Sequence, residues 1–137
     1  MKPTEIILHC SATKEGKDFT VDDIDRWHKA RGFRKVGYQY IIYRDGSIHK
    51  GREDNEVGAH CIGHNAKAIG ICYIGGVDKD GKPKDTRTPQ QRESMIMLVK
   101  DLMTKYNIPL SNIFGHYQFQ NKACPSFKIE KFKEELK

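Results

Sequence analysis

Long apolar runs are absent from this sequence. The first residues, Met1-Lys2-Pro3-Thr4, are followed by Glu5 and then by only three aliphatic residues, at positions 6–8. That run is far shorter than the apolar core of a secretory signal peptide, and no other run approaches the roughly 20 residues that a membrane-spanning helix needs. We therefore expect synthesis in the cytoplasm without a signal peptide, unless a targeting segment has been removed, and no membrane insertion.

Two common metal-site motifs are also absent. The sequence has no HExxH motif, and its four cysteines form no CxxC pair but stand far apart, at Cys10, Cys61, Cys72 and Cys124. In a reducing compartment this pattern favours free thiols, buried apolar side chains or metal ligands over a disulfide framework.

The sequence lacks a long block of like charges and any recognised nucleic-acid-binding motif. The net charge is +6, but the basic residues are spread from Lys2 to Lys137, and some stand beside acids, as in residues 22–26. Such a charge favours solubility and weak attraction to an anionic surface, which includes nucleic acid, cell-wall polymer and membrane faces. We rank nucleic acid well below the other partners, and steep salt dependence of duplex binding would be its signature.

Apolar periodicity predicts an α/β fold. A chain of 137 residues has the size of one domain, so we treat residues 1–137 as a single domain. Strands are predicted at residues 5–10, 36–43, 47–50, 68–75 and 111–114. Helices are predicted after three N-cap candidates, Thr20, Thr88 and Ser126. This alternation indicates a central mixed β-sheet flanked by helices.

The segment at residues 114–127 carries the side chains with the most chemistry. It has neither helical nor strand periodicity, so we predict a loop, and it contains His116, Lys122 and Cys124. Histidine nitrogen and cysteine sulfur are good ligands for zinc. Our candidate for a third ligand is His9, because the ends of the strands would bring it to the same rim of the sheet. Spacing alone leaves open a hydrogen-bonded buried His9 and an apolar Cys124.

Six segments match a known family in order and over nearly the whole chain. They are residues 7–13 (Ile-Leu-His-Cys-Ser-Ala-Thr), residues 36–42 with Arg44-Asp45-Gly46, residues 57–60 (Val-Gly-Ala-His), Asn65 with residues 69–72, Gly115-His116, and residues 122–127 (Lys-Ala-Cys-Pro-Ser-Phe). In these segments the chain resembles the zinc-dependent N-acetylmuramoyl-L-alanine amidases of the bacteriophage-lysozyme type, a family that includes the peptidoglycan recognition proteins. The resemblance implies a hydrolase that cleaves the amide bond between the lactyl group of N-acetylmuramic acid and the L-alanine of the stem peptide.

The resemblance also implies a role for each matched residue. The positions of the Zn²⁺ ligands are taken by His9, His116 and Cys124. Tyr38 matches a tyrosine that orients or deprotonates the attacking water, and Lys122 matches a lysine that stabilises the oxyanion. The positions that line the substrate groove are taken by His60 and Asn65.

Other histidines and cysteines have no counterpart in the resemblance. We expect His28, His49 and His64 to lie on the surface or on a helix face. Cys10 follows His9 directly, so its side chain should point to the opposite face of the strand, and we expect it to be a buried thiol.

Two functions remain open for such a fold. One is a zinc amidase of the endolysin type, which is made in the cytoplasm and acts on the cell wall after release. The other is a non-catalytic peptidoglycan-binding module, although inactive members commonly lack the cysteine ligand, and this chain has Cys124 together with Tyr38 and Lys122. In both cases we expect the partner to be peptidoglycan and the protein to be a monomer. A role in bacterial wall recycling or as a toxin also stays open.

Overall fold

Strands and helices alternate along the chain in a computed structural model that describes residues 1–137. In chain order the elements are β1 (Glu5–Cys10), β2 (Thr13–Lys14), α1 (Val21–Ala30), β3 (Tyr40–Ile42), β4 (Ile48–Lys50), β5 (Ala68–Tyr73), β6 (Gly76–Val77), α2 (Pro89–Tyr106), β7 (Ile113–Gly115) and α3 (Ile129–Glu135). None of the three α-helices combines the length and the apolar character that crossing a bilayer requires.

The main sheet has five strands in the order β4-β3-β5-β1-β7. β1 pairs in parallel with both β5 and β7, β5 pairs in parallel with β3, and only the edge strand β4 is antiparallel. The predicted central mixed sheet flanked by helices is therefore confirmed. β2 and β6 form a separate two-stranded parallel ribbon that the sequence did not predict, because two residues are too few to show a period.

Both faces of the sheet are covered by helices. On one face, Ile6 and Leu8 of β1 belong to the largest core cluster, together with apolar residues of α2 and α3. On the other face, Ile41 of β3 packs with Ile24 of α1. β1 and β5 lie in the middle of this arrangement, and their near-continuous apolar sequences are typical of parallel strands buried on both sides.

The predicted helix ends are mostly confirmed. Thr20 and Thr88 each accept a hydrogen bond from the backbone three residues later, and Asp23 and Gln91 complete the two capping boxes. α2 ends at Asn107, which adopts the left-handed conformation.

Two sequence predictions about boundaries are wrong. The strand predicted over residues 36–43 is present only at Tyr40–Ile42, because Gly37 N–H donates to the His28 ring and Gly37 O accepts from Ala59 N–H. A Cβ at Gly37 would lie 2.0 Å from Ala59 O, so this close approach requires glycine. Ser126 does not cap the last helix, which begins at Ile129, since the Ser126 hydroxyl donates to Gly76 O instead.

A buried carboxylate ties α2 to the antiparallel edge of the sheet. Asp54 accepts hydrogen bonds from the hydroxyls of Tyr40, at 2.6 Å, and Tyr106, at 2.5 Å. The ammonium groups of Lys50 and Lys105 lie 2.9 Å and 3.5 Å from its oxygens. We refer to these five residues as the Asp54 cluster.

Candidate active site

Two of the three expected metal ligands come from adjacent parallel strands. His9 lies near the end of β1, and His116 directly follows β7, in which Gly115 pairs with Leu8. Each histidine therefore lies one residue beyond the last pair between β1 and β7, at the carboxyl ends of these strands. Both side chains are buried, and the two Nδ1 atoms lie 3.1 Å apart.

Cys124 reaches the same place through the loop that follows β7. The loop is closed by a hydrogen bond from Tyr117 N–H to Cys124 O at 2.8 Å, and Tyr73 donates its hydroxyl hydrogen to Pro125 O at 2.7 Å. Cys10 N–H donates to Cys124 Sγ at 3.1 Å. The sulfur lies 3.8 Å from His9 Nδ1, and the three potential ligand atoms all lie within 4.8 Å of one another.

Two of the three separations between these atoms are close to those expected around a zinc ion. Zn–N bonds of about 2.0–2.1 Å and Zn–S bonds of about 2.3 Å in a tetrahedral site place neighbouring ligand atoms roughly 3.3–3.6 Å apart. The distances from His9 Nδ1 to His116 Nδ1 and to Cys124 Sγ, 3.1 and 3.8 Å, bracket this range. Three protein ligands also leave a fourth position for water or substrate, as in catalytic zinc sites.

His9 and His116 are already in the neutral form that binds a metal, whereas Cys124 must first lose a proton. Burial is the main reason that the pKa values of His9 and His116 are lowered, so both rings are neutral at pH 7 and available as ligands. A hydrogen bond with the Cys10 thiol, together with burial, raises the pKa of Cys124. Metal binding must therefore displace the Cys124 proton.

Tyr38 and Lys122 lie beside this cluster. The centroids of the Tyr38 and His9 rings are 5.0 Å apart. Burial raises the pKa of Tyr38, so its hydroxyl keeps its proton at neutral pH and can act as a hydrogen-bond donor. Lys122 is exposed on the loop before Cys124, where it lines the same cleft as Tyr38 and His116.

The cleft has a volume of about 340 Å³ and no acidic side chain on its walls. Its cationic groups are those of Arg31 and Lys122, and its apolar rim includes Phe33 and the exposed side chain of Ile62. A cleft with cations and no carboxylates favours a neutral or anionic ligand.

His60 and Asn65 both lie on the wall of the cleft. The Asn65 side-chain oxygen accepts hydrogen bonds from His60 N–H at 2.8 Å and Cys61 N–H at 2.9 Å, so this asparagine also shapes the loop. Their proposed contact with substrate stays a prediction.

His28 lies on a helix face, one of the two expected positions, but that face is the buried one. Its ring lines the cleft, with its centroid 5.3 Å from that of Tyr38. Its Nδ1 accepts a hydrogen bond from Gly37 N–H at 2.9 Å. The four-residue spacing from Ile24 was the available signal, since it places His28 on the buried face of α1.

Gln120, which sequence reasoning missed, accepts a hydrogen bond from the His116 ring. It precedes Lys122 in a stretch without periodicity, so no sequence signal pointed to it.

Comparison with known proteins points to a family. Residues 1–127 match the family model for N-acetylmuramoyl-L-alanine amidase. The endolysin of Enterobacteria phage K11 is 39% identical over 129 residues, which are 94% of this chain and 84% of the phage protein.

Solved structures give the same result. The N-acetylmuramoyl-L-alanine amidase LysC from Clostridium intestinale superposes with a TM-score of 0.85 at 36% identity, over 98% of this chain and 85% of LysC. A point mutant of Drosophila PGRP-LB, solved in complex with tracheal cytotoxin, superposes with a TM-score of 0.77 at 27% identity, over 91% of this chain and 76% of that protein.

Proposed function

The chain belongs to the N-acetylmuramoyl-L-alanine amidase family, and we propose that this cell-wall amidase depends on a zinc ion held by His9, His116 and Cys124. The bond cleaved joins the lactyl group of N-acetylmuramic acid to the L-alanine of the peptidoglycan stem peptide. We further propose that residues 1–137 act as one domain, as a monomer, on the cell wall.

One observation carries the zinc proposal. Two neutral imidazoles and one thiol, brought from opposite ends of the chain, place three potential ligand atoms within 4.8 Å of one another. A zinc ion bound there supplies a Lewis acid that polarises the amide carbonyl and lowers the pKa of a bound water to about 7.

Lys122 is proposed to stabilise the negative charge that develops on the amide oxygen. Its ammonium group lies on the exposed loop two residues before Cys124, and it shares the cleft with His116. A donor aimed at such an oxyanion contributes roughly 3–4 kcal/mol to the lowering of the barrier.

Tyr38 is proposed to orient the attacking water. Because its phenol remains protonated at neutral pH, Tyr38 donates a hydrogen bond to the oxygen of the water and so orients it. Tyr38 is therefore not the group that accepts the proton of the water. His60 and Asn65 are proposed to contact the substrate along the wall of the cleft.

Substitution of Cys124 tests the proposal. We expect Cys124→Ala to lose bound zinc and the release of free stem peptide from purified peptidoglycan together, because two histidines alone are a weak site. Removing zinc from the unmodified protein with a chelator should abolish cleavage, and adding Zn²⁺ back should restore it. Cys61→Ala is the matched control for zinc content, since Cys61 lines the cleft but packs in an apolar cluster and is not among the three converging ligands.

The outcomes separate the two functions considered for this fold. An active, zinc-loaded Cys124→Ala variant would rule out Cys124 as a ligand. Zinc bound by the unmodified protein, with no cleavage of any muropeptide, would instead favour a peptidoglycan-binding module.

A further inference from the structure

We propose that His60 is a positioning residue that fixes the tautomer and orientation of His9, so that His9 presents Nδ1 rather than Nε2 to the metal. This inference rests on the zinc site proposed above. It gives His60 a function within the protein in addition to its place on the wall of the cleft.

A backbone carbonyl determines which atoms donate and which accept in the hydrogen bonds of His60. His60 Nε2 lies 3.2 Å from Ala68 O. A carbonyl oxygen can only accept, so His60 Nε2 must carry a hydrogen. The ring is buried and neither of its nitrogens faces a carboxylate, which favours the neutral form with a bare Nδ1.

The bare Nδ1 of His60 determines the state of His9. It lies 2.9 Å from His9 Nε2, and it can only accept, so the hydrogen of His9 is on Nε2. His9 Nδ1 is then left with a free lone pair, and this is the atom that faces His116 Nδ1 and Cys124 Sγ. The sequence of donors and acceptors therefore runs from His9 through His60 to Ala68.

His116 is held in the same way by a different partner. Its Nε2–H donates to the side-chain oxygen of Gln120, which leaves His116 Nδ1 without a hydrogen. Two bare lone pairs then face each other across 3.1 Å. No proton lies between them to form a hydrogen bond, so a cation in contact with both nitrogens would stabilise the arrangement.

The His60 ring is held in a slot between two glycines. A Cβ placed on Gly70, inside strand β5, would lie 2.7 Å from two carbons of the ring, and one placed on Gly58 would lie 2.6 Å from ring atom Cδ2. Such distances do not occur for real side chains. Gly70 N–H donates to the buried side chain of Gln39 at 2.8 Å, which fixes this part of the strand. A glycine inside a strand often marks such a close approach.

Metal affinity tests the role of His60. Partners that orient metal-bound histidines typically account for about 10–100-fold in metal affinity. We expect His60→Phe, which fills the slot without nitrogens, to weaken Zn²⁺ binding by that factor in competition with a chromophoric chelator. His60→Gln can accept from His9 through its side-chain oxygen and should recover most of the affinity. His64→Phe is the matched control, since His64 lies in the same loop but contacts Glu5 and Phe119.

Gly70→Ala tests the slot without removing any nitrogen. The new methyl group must displace the His60 ring, so we expect weaker Zn²⁺ binding in a protein that retains His9, His116, Cys124 and His60.

The decisive measurement needs no variant. In zinc-loaded protein labelled with ¹⁵N-histidine, NMR should show His9 with a hydrogen on Nε2 and metal on Nδ1. Metal on Nε2 of His9, or a His60→Phe variant with unchanged Zn²⁺ affinity, would overturn the inference while leaving the zinc site in place. Failure of the unmodified protein to bind Zn²⁺ would instead overturn the proposed function.

Discussion

The Asp54 cluster and the histidine cluster around His9 each centre on a buried polar group, yet they are built in opposite ways. In the Asp54 cluster the negative charge is surrounded by two phenols and two ammonium groups. In the histidine cluster, three neutral rings and a thiol face one another without an internal cation, and the nearest ammonium, that of Lys122, is exposed.

The difference indicates how the two clusters serve the protein. A polar cluster whose charges are already balanced has nothing left to bind, so it contributes to the stability of the fold. A cluster of lone pairs that lacks a positive charge is complete only with a ligand. Substitutions in the first should change unfolding and leave metal binding intact, whereas substitutions in the second should weaken metal binding.

The largest expected effect is on turnover. Lys122→Ala removes the cation beside the histidine cluster but none of the ligands, so we expect normal zinc content and a 10²–10³-fold loss of kcat, which corresponds to roughly 3–4 kcal/mol. Zinc analysis and muropeptide release measure the two quantities. A variant with wild-type rates would remove the oxyanion role of Lys122. Lys128→Ala serves as a control, because Lys128 is exposed nearby but does not line the catalytic cleft.

Acid should destabilise the metal-free protein in two stages, and the histidines come first. Burial lowers the pKa values of His28 and His60 to about 4 from the usual 6.5. Between pH 6.5 and pH 4 the unfolded chain therefore binds protons at these histidines and the folded chain does not. The stability present above pH 6.5 is lost as the pH falls toward 4. Each ring accounts for about 3 kcal/mol at most.

The second stage belongs to Asp54. Burial alone would raise the pKa of Asp54, but hydrogen bonds from Tyr106, Tyr40 and Lys50 outweigh it and lower the pKa to about 2. The corresponding stability, about 2 kcal/mol, is present above pH 4 and is lost between pH 4 and pH 2. Urea unfolding across this range should show both stages in the unmodified protein and a smaller second stage in Asp54→Asn, because Glu56, whose pKa is also lowered to about 2, titrates in the same range. Loss of zinc binding by Asp54→Asn at pH 7 would contradict the separation of the two clusters.

The smallest expected effect is that of a substitution that should lower both stability and zinc affinity slightly. Tyr73→Phe removes the hydrogen bond that holds the backbone at Pro125, next to Cys124. We expect a loss of about 1–2 kcal/mol in the free energy of unfolding, because a buried carbonyl is left without its partner. A small fall in zinc affinity should accompany it, measured by the same chelator competition. An affinity unchanged from wild type would show that the loop holds Cys124 without Tyr73.

Elements with strong local signals could be predicted from the sequence. β1 and β5 are apolar throughout, and Thr20 and Thr88 are followed at the right distance by Asp23 and Gln91, so their positions needed no tertiary information. Residues 36–39 could not be placed, since Val36 N–H donates to the Asp25 side chain and Gly37 bonds to the His28 ring and to Ala59, partners that only the folded chain supplies. The start of α3 was missed for the same reason, because Ser126 bonds to Gly76.

In the candidate site, too, some residues could be named from the sequence, whereas the contacts between them could not. Cys124, His116 and Lys122 stand in a loop with evident chemistry, and His9 was a candidate from its place at the end of a predicted strand, whereas resemblance to a family added Tyr38 and the role of Lys122. The hydrogen bonds from His9 to His60 and from His116 to Gln120 depend on contacts across 51 and 4 residues, and neither follows a sequence period. Which ring nitrogen faces the proposed metal position therefore required coordinates.

The pairing of β1 has a consequence for how the protein is made. The ribosome delivers β1 first, but its two neighbours in the sheet, β5 and β7, begin only at residues 68 and 113. At elongation rates of about 5–20 residues per second, β1 waits roughly 5–20 s for its last neighbour. During that interval His9 lacks both of its proposed companion ligands, so the proposed site cannot form. The proposed site can assemble only after the segment carrying His116 and Cys124 has been made and docks beside a strand that was made earlier.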